Sequence, residues 1–203
     1  MTSFQESALS ACAEMRALFP ATPLQKNEYL SGLYGTDIYL KREDLSPVRS
    51  YKIRGAFNAM RKALANGEGQ QFVCASAGNH AQGVAFACAH FGVKGRIYMP
   101  VTTPQQKIGK TAAFGGQSIE IILQGDYFDE TLAAATEYAT AHGAHMLPPF
   151  DDLDVIEGQA SVGVEILEQL GEAPDMIVTP VGGGGLSAGL VQFFAGHDVD
   201  FRF

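Results

Sequence analysis

Residues 71–99 read QFVCASAGNHAQGVAFACAHFGVKGRIYM. A short apolar run, Gln71–Ala75, is followed by the small turn Ser76-Ala77-Gly78, by a helical stretch over 79–91, and by a second apolar run at Gly95–Met99. Two short strands joined by a helix-length segment are set parallel, because a parallel pair needs a crossover where a hairpin does not. The same alternation extends in both directions. Upstream, a strand is predicted near 37–41 and a helix over 52–65; an amphipathic helix over 1–18 precedes them and is closed by Pro20 and Pro23. Downstream come a helix over 104–113, a strand over Ser118–Leu123, and a helix opening at Asp126, with Asp126 as N-cap and Asp129 in an acidic first turn. A helix over 154–170 and a strand over Met176–Pro180 then lead into Gly182-Gly183-Gly184-Gly185 and a last apolar helix. Val199–Phe203 alternates apolar and polar like an opening strand. The class is α/β with a parallel sheet, without internal repeats or low-complexity segments.

Composition narrows the function. The chain has 203 residues, 46% of them hydrophobic, enough for one α/β domain or a lobe carrying a smaller insert. A net charge of −8, a pI near 5.0 and the lack of any long Lys/Arg run argue against nucleic acid as a partner. The apolar runs fall short of the roughly 20 residues that cross a bilayer, and Met1–Ala21 lacks the basic start and apolar centre of a secretory signal. A cytoplasmic location without membrane attachment is expected. Cys12, Cys74 and Cys88 form no CxxC pair, so neither a disulfide framework nor a zinc site is expected, and Cys88 reads as an inert core thiol.

Two segments carry chemistry. Four consecutive glycines between a strand and a helix leave the turn without Cβ atoms, so that successive N–H groups can converge on an anion. No Lys-Ser or Lys-Thr follows, and the spacing is not the dinucleotide fingerprint. Gly182–Gly185 therefore reads either as a phosphate cradle or as a tight turn. Lys52, in Ser50-Tyr51-Lys52-Ile53-Arg54-Gly55, reads either as a solvated first-turn lysine or as an amine kept partly neutral. In the second case burial among Tyr51, Ile53, Ala56 and Phe57, and the cations Arg49 and Arg54 beside it in sequence, would disfavour the ammonium form.

Five segments decide between these readings. Lys41–Leu45 (KREDL), Ser50–Ala56 (SYKIRGA), Ser76–Gly83 (SAGNHAQG), Pro148–Asp151 (PPFD) and Pro180–Leu186 (PVGGGGL) resemble, in order and interval, the signatures of the pyridoxal-phosphate-dependent threonine and serine dehydratases. The resemblance runs over about residues 20–195. It implies the two-lobed fold of the tryptophan synthase beta type, with 1–69 and 147–203 forming a larger cofactor lobe and 70–146 a smaller inserted one. The family's module continues beyond residue 203, so the resemblance implies a fold truncated on its C-terminal side.

The resemblance also implies roles. Lys52 corresponds to the lysine that bonds covalently to pyridoxal phosphate and acts as the catalytic base, Tyr51 to an aromatic against the cofactor ring, and Asn79 to the partner of its 3-hydroxyl. Gly182, Gly183, Gly184, Gly185 and Leu186 correspond to the phosphate loop. Ser76, Ala77, Gly78, Asn79 and His80 correspond to the loop that takes the substrate carboxylate. His80 itself reads as a capping or structural histidine, since a lysine base makes an imidazole unnecessary. The implied reaction is elimination of ammonia from L-threonine to give 2-oxobutanoate, on the route to isoleucine, by a homo-oligomer with no metal held by this part of the chain. Racemases of the group carry serine at the position of Ala77, and a methyl group transfers no proton. Serine or another hydroxy amino acid as substrate, a cofactor-binding piece without turnover, and a nucleotide-binding α/β domain are the competing readings.

Overall fold

The computed structural model describes residues 3–69 and 71–203. Ser3 opens the first helix, α1 (Phe4–Met15), through a capping box in which its hydroxyl accepts from the Glu6 N–H and the Glu6 carboxylate accepts from the Ser3 N–H. The helix ends at Met15, short of the expected 18, and residues 1 and 2 of the expected span lie outside the described residues. β1 (Leu24–Lys26), α2 (Glu28–Tyr34) and β2 (Tyr39–Lys41) follow, and β1 pairs antiparallel with β2. Only β2 is anticipated by the alternation. A three-residue strand is too short to show a period of two, and α2 exposes Tyr29, Leu33 and Tyr34, so it has no apolar face to read.

α3 (Lys52–Ala65), β3 (Gln71–Ala75), α4 (Asn79–Phe91), β4 (Lys94–Met99), α5 (Gln105–Gly115), β5 (Ile119–Leu123), α6 (Phe128–His142) and β6 (His145–Met146) form the regular βα succession. Their sheet has the order β5-β4-β3-β6, all pairs parallel, with Val73 opposite Arg96 and Met146. β3 is central and reads as continuous apolar sequence because both of its faces are covered. One face meets Ala56, Met60 and Val84 of α3 and α4; on the other, Val73 and Ala75 pack with Ala135 and Ala139 of α6. Asp126 is not the N-cap of α6. Tyr127 holds that position without a side-chain cap, and Glu130 reaches back to accept from the Asp126 N–H at 2.7 Å. The helix start is thus fixed from Glu130 in its first turn, one residue further back than a capping box would reach, rather than by an Asp cap.

α7 (Leu153–Leu170), capped by the Asp152 carboxylate on the Val155 N–H, runs under α3. Gly55 and Gly158 allow that crossing: a Cβ at Gly158 would lie 2.5 Å from the Arg54 carbonyl oxygen and 2.7 Å from the Gly55 Cα. Gly83 does the same for α3 and α4, where a Cβ would meet the Lys52 carbonyl at 3.1 Å. β7 (Met176–Val178), α8 (Gly185–Phe193) and β8 (Asp200–Arg202) complete the chain, and β7 pairs parallel with β8. β7 stops two residues before the expected Pro180, which lacks an N–H for the ladder. The α/β fold with parallel sheets is as read from the sequence. The hydrophobic core is continuous across residue 70, since Ala56, Ala59 and Met60 share one cluster with Phe72, Cys74 and Ile97.

Candidate active site

Lys52 is the first residue of α3. Its Nζ donates to the Pro149 carbonyl at 2.5 Å and lies 5.5 Å from the centre of the Tyr51 ring and 5.9 Å from that of Phe150. Burial holds the amine below the usual lysine range, and the positive end of α3 disfavours the ammonium further. The Tyr51 hydroxyl is pushed up, also by burial. The cations expected to assist do not do so: Arg54 is turned away into the interior, and Arg49, exposed and at φ +59°, adds nothing to the causes acting on Lys52.

Arg54 is instead the centre of a buried ionic network that sequence reading did not foresee. It is fully buried, and its guanidinium grips Glu43 at 2.8 Å and Glu165 at 2.9 Å while also donating to Ser161 and Thr22. Lys41 adds a second cation, donating to Glu165 at 2.6 Å, to the Thr22 carbonyl and to Gln169. The KREDL and SYKIRGA segments therefore meet in space, and their charges tie the first turn of α3 to α7. The four charged residues, Lys41, Glu43, Arg54 and Glu165, come from separate parts of the chain, and their pairing has no sequence period.

The glycine turn lies on the other side of Phe150. A Cβ on Gly183 would stand 2.1 Å from the Phe150 Cδ1, and one on Gly185 would stand 3.0 Å from the Phe150 carbonyl oxygen; Gly184 has φ +85°. The N–H groups of Gly182 through Leu186 have no acceptor among the described residues. They sit at the positive end of α8, the arrangement that receives a phosphate. The Leu186 side chain is in the core with Ile177 and Leu190, which leaves its N–H as what it can offer. An amine with a lowered pKa and a free N–H cradle, bridged by one aromatic ring, fit the two ends of a cofactor bearing an aldehyde and a phosphate.

Ser76–His80 connects β3 to α4. The Ser76 N–H donates to the Tyr98 carbonyl and the Gly78 N–H to the Ser76 hydroxyl. Ala77, Asn79 and His80 keep N–H groups without an acceptor among the described residues, at the N-terminus of α4, and the Asn79 side chain is exposed. His80 is buried, with Nε2 at 3.0 Å from the Leu147 carbonyl. A carbonyl only accepts, so Nε2 carries the proton, and burial first, then the nearby Lys52 charge, push the imidazole down to about 4.

That shift has a measurable consequence. The folded value lies below the ordinary 6.5, so the unfolded chain binds a proton that the folded chain refuses between pH 6.5 and about 4. Stability falls as pH drops through this window, by an amount on the order of 3 kcal/mol in the fully buried limit. Urea unfolding across this range should show a steeper acid loss for the parent chain than for His80→Gln.

The cysteines are all free and buried, and burial pushes the Cys88 thiol up to about 12. No cluster of three or more His, Cys, Asp or Glu able to hold a metal occurs among the described residues, and no described helix is long and apolar enough to cross a membrane. Leu9, Cys12 and Ala13 of α1, with Arg16 just after it and Glu168 of α7, line a surface recess that does not include Lys52.

The family profile for pyridoxal-phosphate dependent enzymes matches residues 16–203. The chain belongs to that family. It is 48% identical over 174 residues to the biosynthetic L-threonine dehydratase IlvA of Mycobacterium tuberculosis, which covers 86% of this chain and 41% of that protein. The IlvA of Bacillus subtilis is 49% identical over 181 residues, covering 89% and 43%. This member of the family therefore spans less than half the length of these curated relatives. Among solved structures, the processed threonine deaminase isoform 2 of Solanum lycopersicum superposes with a TM-score of 0.87 at 38% identity, over 97% of this chain and 57% of that one. Serine racemase of Dictyostelium discoideum superposes at 0.89 with 27% identity, over 99% and 65%. These likenesses agree with the dehydratase resemblance and with the tryptophan synthase beta type of fold.

Proposed function

We propose that this chain is the cofactor-holding part of an L-threonine ammonia-lyase, which converts L-threonine to 2-oxobutanoate and ammonia as an early step toward isoleucine. The observation that carries the reading is Lys52: a half-buried amine, held below its usual pKa, next to an N–H cradle fit for phosphate. Pyridoxal phosphate, when bound, supplies an electron sink for the pair released at the substrate Cα. The chain's own residues do the rest. The free N–H groups of Ala77, Asn79 and His80 orient the substrate carboxylate, and the Asn79 amide donates to the cofactor hydroxyl. The Lys52 amine takes the Cα proton, and burial, which lowers its pKa, favours the neutral form that can do so. Ala77 has no proton to deliver to the opposite face of Cα, which favours elimination over racemisation. The division into a larger lobe of 1–69 with 147–203 and a smaller one of 70–146, the homo-oligomeric state and the cytoplasmic location belong to the same proposal.

The test is to incubate the chain with pyridoxal phosphate, reduce with borohydride and map the pyridoxyl group by peptide mass spectrometry. One adduct at Lys52 is the expected result; scattered labelling would defeat the reading. Because the chain spans under half of its curated relatives, a positive label with no 2-oxobutanoate formed would favour a cofactor-binding piece that needs further chain for turnover. Gly183→Ala should weaken capture of the phosphate without unfolding the protein. The added methyl collides with a Phe150 ring that is 36% exposed and free to swing outward. Equilibrium dialysis with pyridoxal phosphate should show the loss, while the melting midpoint stays close to that of the parent.

A further inference from the structure

Residues 147–150 touch every part of the site. The Leu147 N–H donates to the Val73 carbonyl at 2.8 Å, extending the parallel ladder beside β3, and its carbonyl meets His80 Nε2 at 3.0 Å. Leu147, 1% exposed, is therefore held from both sides. Pro148 and Pro149 follow, and two consecutive rings with φ locked near −65° make a stiff strut rather than a loop. The strut ends with the Pro149 carbonyl on Lys52 Nζ at 2.5 Å and the Phe150 ring against Gly183.

We propose that His80 is a positioning residue: by donating Nε2–H to the Leu147 carbonyl it sets the 147–150 strut, so that the Pro149 carbonyl holds the Lys52 amine and the Phe150 ring covers the glycine turn. The assignment of this amine as the cofactor lysine is taken from the reading above; the strut itself stands on the contacts.

A histidine is a costly way to fill this space. The ring is 3% exposed, and its Nδ1 is buried with no partner among the described residues, a desolvation penalty that a leucine there would not incur. What the imidazole provides in return is the one N–H that reaches Leu147. Without it the Leu147 carbonyl loses its donor, and the strut keeps only its ladder bond to Val73. The proximal effect falls on Lys52, whose side chain makes its one hydrogen bond among the described residues to Pro149 and whose burial includes the Phe150 ring. When Lys52 becomes covalently occupied it has fewer protons to donate, so the Pro149 contact weakens and the strut is free to move off the glycine turn. The same contact thus keeps the amine placed and the phosphate cradle covered before the cofactor arrives.

The experiment is competitive acylation of the full 203-residue chain with acetic anhydride over a pH series, following the Lys52 peptide by mass spectrometry, with melting midpoints in parallel. His80→Leu fills the space without the N–H, His80→Gln keeps an N–H that can reach Leu147, and Pro149→Gly loosens the strut while leaving His80 intact. In His80→Leu and Pro149→Gly the limiting acylation rate of Lys52 should rise roughly three- to tenfold, the scale of one lost hydrogen bond, and its titration should move up toward an ordinary lysine. His80→Gln should stay near the parent. Equal changes in the Gln and Leu variants, or an unchanged Lys52 in Pro149→Gly, overturn the proposal, and the Pro149→Gly comparison decides it if His80→Leu does not fold. Acylation uses no cofactor. Failure of the parent to be labelled by pyridoxal phosphate and borohydride would remove the functional reading while leaving this result to stand or fall separately.

Discussion

Arg54→Met should lower the unfolding free energy by about 3–5 kcal/mol, the cost of removing one partner from a buried ionic group. The guanidinium faces two carboxylates, Glu43 and Glu165, with bonds of 2.8–2.9 Å, and it is fully buried. Without it, Glu165 keeps Lys41 at 2.6 Å and a looser contact with Arg16 at 3.9 Å, and among the described residues Glu43 keeps the Thr22 hydroxyl. The pH dependence separates this cause from lost packing. Arg54 and Lys41 hold the Glu165 carboxyl below its ordinary 4.5, against a burial that pushes it up. A depressed carboxylate contributes stability that is present above the unfolded value and is lost as pH falls through the folded one. The gap between parent and Arg54→Met should therefore be full near neutrality and narrow below about pH 4.5. Urea unfolding at pH 7 and in mild acid gives both values. A gap independent of pH would mean that the methylene stem, not the charge, matters at this position.

The order of elements was legible because the central strands are covered on both faces. Phe72, Val73, Cys74 and Ala75 are all buried, so apolarity alone marks β3, and the helices between strands have lengths that no hairpin could have. What could not be read are features whose logic lies between distant residues. β1 and β6 have three and two residues, too few for any period to show, and their existence is decided by the partners β2 and β3. The same holds for the site. Lys52, the glycine turn and Ser76–His80 announce themselves as short motifs, and the structure puts Lys52 beside Phe150 and Phe150 on the glycine turn. Arg54 departs from the expectation for a reason of geometry. Two residues along a helix is about half a turn, so its side chain leaves on the opposite side from Lys52 and ends among Glu43 and Glu165. The carbonyl of Pro149 was invisible in principle, since a backbone acceptor has no residue signature.

Lys52→Met should abolish the pyridoxyl label altogether and yet leave a chain at least as stable as the parent at neutral pH. The first effect is chemical: a thioether forms no bond to an aldehyde carbon, and among the described residues Lys52 is the lysine whose amine lies over both the Tyr51 and the Phe150 ring. The second follows from the direction of the pKa shift. Burial lowers the Lys52 value from 10.5, so at pH 7 the folded protein holds a charge, or surrenders a proton, at a cost that the unfolded chain does not bear. That cost is largest below the folded value, shrinks as pH rises between the folded and unfolded values, and vanishes above 10.5, where the amine is neutral in both states. Methionine is close in length and apolar, and what it forfeits is the bond to the Pro149 carbonyl. Melting curves should thus favour Lys52→Met at pH 7 and converge with the parent in strong alkali. A variant less stable than the parent at pH 7 would show that the Pro149 contact outweighs the buried charge. A variant more stable but unlabelled would place Lys52 among residues kept for reactivity against the interest of the fold.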